Sequence, residues 1–351
     1  MREVRDILVQ ADVSKEDSRR GKAMDVREVD FWGWKGVSLT TERVSIIVTP
    51  EPGGRIMSLM LDGVEVLFGL EELRGRRIDL SGVSDVRAKK RELGWLHYGG
   101  HKTWLAPQTN WTDALPFLDL DSGSYDLAVE GGSKGQLVQL TSPIDGETGI
   151  QLTRSVSVSE GSRVEIQNGM INRSTEETSW GVWGVTQVNG PGMAVIPINR
   201  KSAFPVGVKA YAGEGRSQEV MDQYVKLYDG LAVITCQEVE QFKYGTDSTD
   251  GWILALLDQG KDHWLAFMKI FSPTPGAAYP HGTTAEVYDS PLLPYFEMEV
   301  HSPIQTLAPG EAYSHKETWV LDWLPKSSNM DATEEWVKEN LLRSKGSRQA
   351  G

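Results

Sequence analysis

Short runs of alternating apolar and polar residues, cut at close intervals by Gly, Pro, Asn and Asp turns, recur along most of this chain. Successive side chains on a strand face opposite ways, so a period of two marks a half-buried strand, whereas a helix needs a period near 3.6. Such runs predict strands at 37–40, 44–48, 55–61, 64–68, 125–129, 136–141, 150–158 and 163–171, and again at 179–188, 194–197, 225–228, 231–236, 251–257, 264–271, 285–288, 295–301 and 313–321. Asp62-Gly63, Asp145-Gly146 and Pro191-Gly192 supply turns between them. Strands do not alternate with helical patterns, so the chain cannot build βαβ units. The expected fold is mainly β, a large antiparallel β-sandwich with few short helices.

Residues 1–27 are charged and lack a sustained apolar period, so they read as a loose arm with one helical turn at most, ahead of a β domain over 28–325. Residues 70–92 read as an exposed, mixed-charge and partly helical excursion whose Arg and Lys side chains form a solvated face. Over 326–351, Asp331 and Glu334 have the spacing of a capping box. Trp336, Val337, Asn340 and Leu341 then make one stripe of a short helix, followed from Ser344 by a polar, disordered tail. Gly181 and Gly184 fall inside a strand and mark a bulge or a close approach.

The formal charge of −13 argues against nucleic acid or an anionic membrane as a partner, because both need clustered Lys and Arg. One cysteine, Cys236, rules out an intrachain disulfide; it sits in an apolar run and reads as core. The first residues lack the apolar stretch of a signal peptide, and no run of about 18 apolar residues is present. The expected compartment is the cytoplasm.

Three stretches carry candidate chemistry. Residues 92–111 hold His97, His101, Trp95, Trp104 and Trp111 beside Gly99-Gly100 and Pro107-Gln108. Flat apolar walls with imidazoles and an amide suit a sugar, and equally suit a strand–turn–strand corner with buried Trp. In Tyr295-Phe-Glu-Met-Glu-Val-His301, alternation puts Phe296, Met298 and Val300 on one face and Tyr295, Glu297, Glu299 and His301 on the other. Neighbouring carboxylates repel, so one of Glu297 and Glu299 can hold its proton near neutrality and serve in acid–base work. The same pattern also describes an outer sheet face, and the residues alone leave both readings open. Gln187, in a strand with Trp180 and Trp183, can bond a sugar hydroxyl or satisfy a buried backbone group. His281, Glu286 and another His have donor types that suit zinc or manganese, but no HxH or HExxH spacing supports them, so neither metal nor cofactor is assigned.

The residues now resemble a family. Gly53-Gly-Arg-Ile-Met-Ser-Leu59 followed by Asp62-Gly-Val-Glu-Val-Leu67 resembles the opening hairpin of the galactose mutarotase-like (aldose 1-epimerase) superfamily. Leu96-His-Tyr-Gly-Gly100 is similar to the segment holding that family's first active-site histidine. The segments Gly100–Gln108, Trp183–Gln187 and Tyr295–Pro303 look most like its uncharacterised DUF4380 branch.

The resemblance implies a β-supersandwich with a carbohydrate cleft across one sheet and a small-molecule sugar as partner. It implies Glu297 or Glu299 as the base at the anomeric hydroxyl, and His101 or His97 as the acid at the ring oxygen. Arg55 would bind a hydroxyl or carboxylate, Trp104 and Trp183 would form stacking walls, and Lys102, Gln108 and Gln187 would complete the site. Mutarotases carry a second histidine mid-chain, yet none occurs between Thr109 and Trp180, which leaves His281 to substitute from another strand. The implied function is a mutarotase- or epimerase-like enzyme acting on an aldose. The alternatives are a non-catalytic carbohydrate-binding domain and a lyase or hydrolase acting on acidic sugars.

Overall fold

The computed structural model describes residues 24–132, 135–159, 162–326 and 330–346. Of residues 1–27, expected as a loose arm, 1–23 lie outside the described residues, whereas Asp25, Val26 and Arg27 begin the first strand; the Asp331 side chain of the expected capping box also lies outside the described residues.

Among the described residues the strands form two antiparallel sheets, one 12-stranded and one 10-stranded. The first runs Asp25–Phe31, Trp34–Thr40, Val44–Thr49, Arg55–Leu61, His101–Ala106, Thr178–Asn189, Tyr295–His301, Ala285–Asp289, Phe242–Thr246, Lys209–Ala210. Val64–Glu65 and Gln305–Leu307 pair beside this path. The second runs Val225–Tyr228, Leu231–Cys236, Gly192–Pro197, Trp252–Asp258, His263–Ile270, Ala312–Pro325, Arg163–Asn172, Ile150–Ser159, Gly135–Ile144, Asp126–Gly132. This is the large β-sandwich that the alternating pattern predicts.

Alternation decides which side chains fill the space between the sheets. Phe296, Met298 and Val300 from the first sheet join Phe267, Trp319 and Leu321 from the second in one buried cluster. The Trp252–Asp258 strand is apolar on both faces because both are covered: Ile253, Ala255 and Leu257 enter the main core. Trp252, Leu254 and Leu256 instead pack with Val337, Trp336 and Leu341 of the Met330–Gly346 helix.

The 70–92 excursion is partly helical as expected, with a helix over Val86–Leu93 capped by Asp85, whose side chain accepts from the Ala88 amide. Other local readings are corrected. On that helix Lys90 is fully buried rather than solvated, because Glu147 Oε1 lies 3.0 Å from its ammonium and the Phe117 ring lies beneath it. The C-terminal helix also passes Ser344 to Gly346, where the sequence reads as a disordered tail. Arg163 holds it there by donating to Ser344 Oγ at 2.7 Å and to Asn340 Oδ1 at 3.1 Å. The Phe242–Thr246 strand escapes the alternation reading because it is short and its polar face is a Lys and a Gly; all five residues are buried, with Phe242 and Tyr244 on the core side.

Candidate functional site

The face of the first sheet turned away from the core carries the polar side chains. Register places Lys102 beside Val185 and Trp104 beside Trp183. Gln187 pairs with Glu297, Val185 with Glu299, and Trp183 with His301. Glu286 and Tyr288 stand against Glu299 and Glu297, and Lys243 pairs with Tyr288. Five neighbouring strands thus bring one polar face together from residues almost 200 positions apart.

A cavity of about 330 Å³ opens on this face, within the size range of small-ligand sites. Seven of the sequence candidates line it: His97, Lys102, Trp104, Gln108, Trp183, Glu297 and Glu299. Trp95, Asp121, Lys243, Tyr288 and Tyr295 line it too. The walls are aromatic: Trp104 meets Trp183 at 5.3 Å between ring centres, Trp111 at 5.2 Å and Trp95 at 5.7 Å. Three of these indole N–H groups are spent on fixed acceptors, with Trp183 donating to Glu299 Oε2 at 2.7 Å, Trp104 to Asp121 Oδ1 at 2.8 Å and Trp111 to the Leu105 carbonyl at 2.7 Å. The faces of the rings are therefore held still.

On the floor, Glu297 accepts from Gln187 Nε2 at 2.8 Å and lies 3.5 Å from the Lys102 ammonium. Glu299 is fully buried and takes hydrogen bonds from Trp183 and, at 2.9 Å, from Lys243. Lys243 also lies 2.8 Å from Glu286. One ammonium thus serves two buried carboxylates, and they titrate apart. Burial, opposed by Lys243 but reinforced by the charges of Glu286 and Glu297, lifts the Glu299 carboxyl well above the usual carboxylate range. Burial acts the same way on Glu286, yet Lys243 and His301 overcome it and hold Glu286 well below that range. Glu299 is therefore the proton holder and Glu286 the ion. His97 shares a 3.1 Å hydrogen bond with the Tyr295 hydroxyl, and its pKa is lowered first by burial and then by Lys102.

Four candidates sit elsewhere. His101 precedes Lys102, so alternation turns it between the sheets, where Nδ1 meets Thr186 Oγ1 at 2.9 Å and the ring abuts Trp319. Burial, with Arg154 and Lys269 nearby, holds it well below its usual pKa, and it cannot serve as the acid at this cavity. Arg55 is fully buried and bound to Asp121 Oδ1 at 2.7 Å and Gly99 O at 3.2 Å, and it does not line the cavity. Gln187 stands behind Glu297 and orients it. His281 is outside the lining, behind Gln108, whose backbone N–H donates to its Nε2 at 3.4 Å. The sequence reading missed Lys243 and Asp121. The only local signal for Lys243 is its place between Phe242 and Tyr244, too short a run to mark a strand, and Asp121 has none.

The two-sheet architecture is that of the galactose mutarotase-like proteins. A provisionally assigned aldose 1-epimerase from Klebsiella pneumoniae superposes with a TM-score of 0.56 at 11% identity, over 92% of this chain and 93% of that one. A galactose mutarotase-like protein from Clostridium acetobutylicum gives 0.50 at 15% identity, over 87% and 99%. A TPR-domain containing protein from Parabacteroides distasonis gives 0.54 at 15% identity; the alignment covers 84% of this chain and 49% of that protein, about half its length. At such identities the likeness is one of fold. No curated protein matches the chain. The model of a domain of unknown function, DUF4380, matches residues 127–322, and the chain belongs to that family.

Proposed function

We propose that the cavity binds a free sugar and interconverts its anomers by acid–base catalysis. One observation carries this reading: two carboxylates on one strand face, under fixed indole walls, sit in environments that give them different work. Glu299 is deeply buried and keeps its proton. Glu297 is oriented by Gln187 and reaches the cavity. A buried carboxyl that holds its proton supplies an acid, and the second carboxyl, oriented at the cavity, stands where a base is needed.

In this reading Glu297 takes the proton of the anomeric hydroxyl as the C1–O5 bond of the hemiacetal breaks. Glu299 delivers its proton to the ring oxygen, giving the open-chain aldehyde. Rotation about C1–C2 and reclosure, with the protons returned, yields the other anomer. Electrons and protons balance without a cofactor. The fold supports the reading, since a protein described as galactose mutarotase-like shares it.

Polarimetry on freshly dissolved α-aldoses tests it. The wild-type protein is expected to accelerate mutarotation of at least one aldose. Glu297→Gln and Glu299→Gln should each lower that rate by about 10²–10⁴-fold, the usual scale of general acid–base catalysis. Unchanged rates in both variants would overturn the assignment. Binding without acceleration by the wild-type protein would favour a non-catalytic carbohydrate-binding domain.

A further inference from the structure

Beside the cavity, outside its lining, the ligand-capable atoms of His281, Glu286 and His301 lie within 4.8 Å of one another. Glu286 Oε1 is 3.1 Å from His281 Nδ1 and 3.1 Å from His301 Nε2. The geometry is built from three elements. His301 ends the Tyr295–His301 strand and Glu286 stands on the adjacent strand. His281 is delivered by the Pro280–Gly282 turn, with its own φ at 59°.

Two observations separate this cluster from an ordinary ion pair. First, one carboxylate oxygen is over-subscribed: the Tyr211 hydroxyl approaches Glu286 Oε1 at 2.5 Å and the Thr283 hydroxyl approaches it too, besides both imidazoles. A carboxylate has about four acceptor positions over both its oxygens, and here four groups crowd onto one. Second, His301 is fully buried, yet neither ring nitrogen has an aligned hydrogen bond. Buried polar atoms are ordinarily satisfied.

We propose that His281, Glu286 and His301 are the protein ligands of one divalent transition-metal ion, with zinc the first choice. Two imidazoles and one carboxylate, with a position left open, form the donor set of catalytic zinc and of non-haem iron sites. Bonds of about 2.0–2.1 Å in tetrahedral geometry put ligand atoms roughly 3.3 Å apart, close to the two 3.1 Å separations seen. An ion between the imidazoles and Oε1 gives His301 Nε2 a partner and relieves the crowding at that oxygen.

The charges around the cluster are consistent with this. Lys243 holds the other oxygen, Oε2, and so turns Oε1 toward the imidazoles, as outer-shell groups do at metal sites. Its positive charge opposes a cation and is met by the Glu286 carboxylate itself. Lys209 is tied to the His281 carbonyl. Coordination through His281 Nδ1 puts that ring's proton on Nε2 and ends the 3.4 Å contact from the Gln108 backbone N–H. Gln108 lines the cavity, so occupancy reaches the cavity rim. None of this depends on the carbohydrate reading.

The test is calorimetric titration of chelator-stripped full-length protein with Zn²⁺, repeated with Co²⁺ followed by visible absorption. One Zn²⁺ per chain is expected, with the Co²⁺ protein showing the absorption of a low-coordinate ion. Glu286→Gln and His281→Ala should each weaken Zn²⁺ binding by more than the roughly 10–100-fold that loss of an outer-shell partner costs. His281 is partly exposed, so its variant keeps the test valid if changes at buried Glu286 impair folding; circular dichroism reports which occurs. Absence of Zn²⁺ uptake by the wild-type protein would overturn the proposal. So would unchanged affinity in a folded His281→Ala protein, which would place any ion elsewhere.

Discussion

Arg55 and His315 show that buried charge in this protein is a matter of partners. Arg55 ties its strand to the Gly99 carbonyl and to both the carbonyl and the carboxylate of Asp121, which in turn fixes the Trp104 indole. Removing one member of a buried ion pair strands the other. Arg55→Ala should therefore cost about 3–5 kcal/mol in denaturant unfolding, and a loss below 1 kcal/mol would contradict the pairing. His315 carries a pH signature. Burial, against the pull of Glu317, lowers its pKa to about 4. An unfolded histidine titrates near 6.5, so as pH falls the unfolded chain takes the proton first. The native advantage is complete above that value and is lost as pH drops towards 4. At about 1.4 kcal/mol per unit it amounts to roughly 3 kcal/mol. His315→Gln should flatten the fall in stability between pH 6.5 and 4; an unchanged slope would assign that fall to other groups.

At the scale of elements, the Thr178–Asn189 strand joins core to site, and its glycines explain how. A Cβ on Gly184 would stand 2.6 Å from Glu317 Oε1, and one on Gly181 would stand 2.7 Å from Pro280. Of the bulge and the close approach that an interior glycine can mark, the structure shows the close approach. Glu317 cannot retreat freely, because Lys269 lies 3.1 Å away and the Trp319 indole donates to it at 3.0 Å. Gly184→Ala should destabilise by about 1–3 kcal/mol, measured as a lowered midpoint of chemical denaturation; a neutral result would mean the two sheets can part locally. Alternation made the division of the Tyr295–His301 strand legible in the sequence, since period two needs no knowledge of neighbours. It did not say which face of the His101–Ala106 strand met the cavity. The resemblance favours His101 as the acid with Lys102 beside it, and pairing with Thr186 and Val185 turns the two to opposite faces.

At the scale of the whole molecule, two sheets share one core, and the first sheet's other face supplies the cavity. The sandwich was legible because turns and alternation recur along the chain. The cavity was legible only in part, because its wall and floor come from segments near Trp95, Asp121, Trp183, Lys243 and Glu297. Lys243 becomes a site residue only when its strand is laid against Ala285–Asp289, and local pattern carries no information on that pairing. Binding of a sugar against the indole walls is the central claim, and saturation-transfer difference NMR with a panel of free aldoses tests it most directly. The account predicts transfer to the ring protons of at least one aldose, retained in the surface variant Tyr228→Ala and lost in Trp104→Ala. No transfer to any aldose, or transfer unchanged in a folded Trp104→Ala protein, would contradict it.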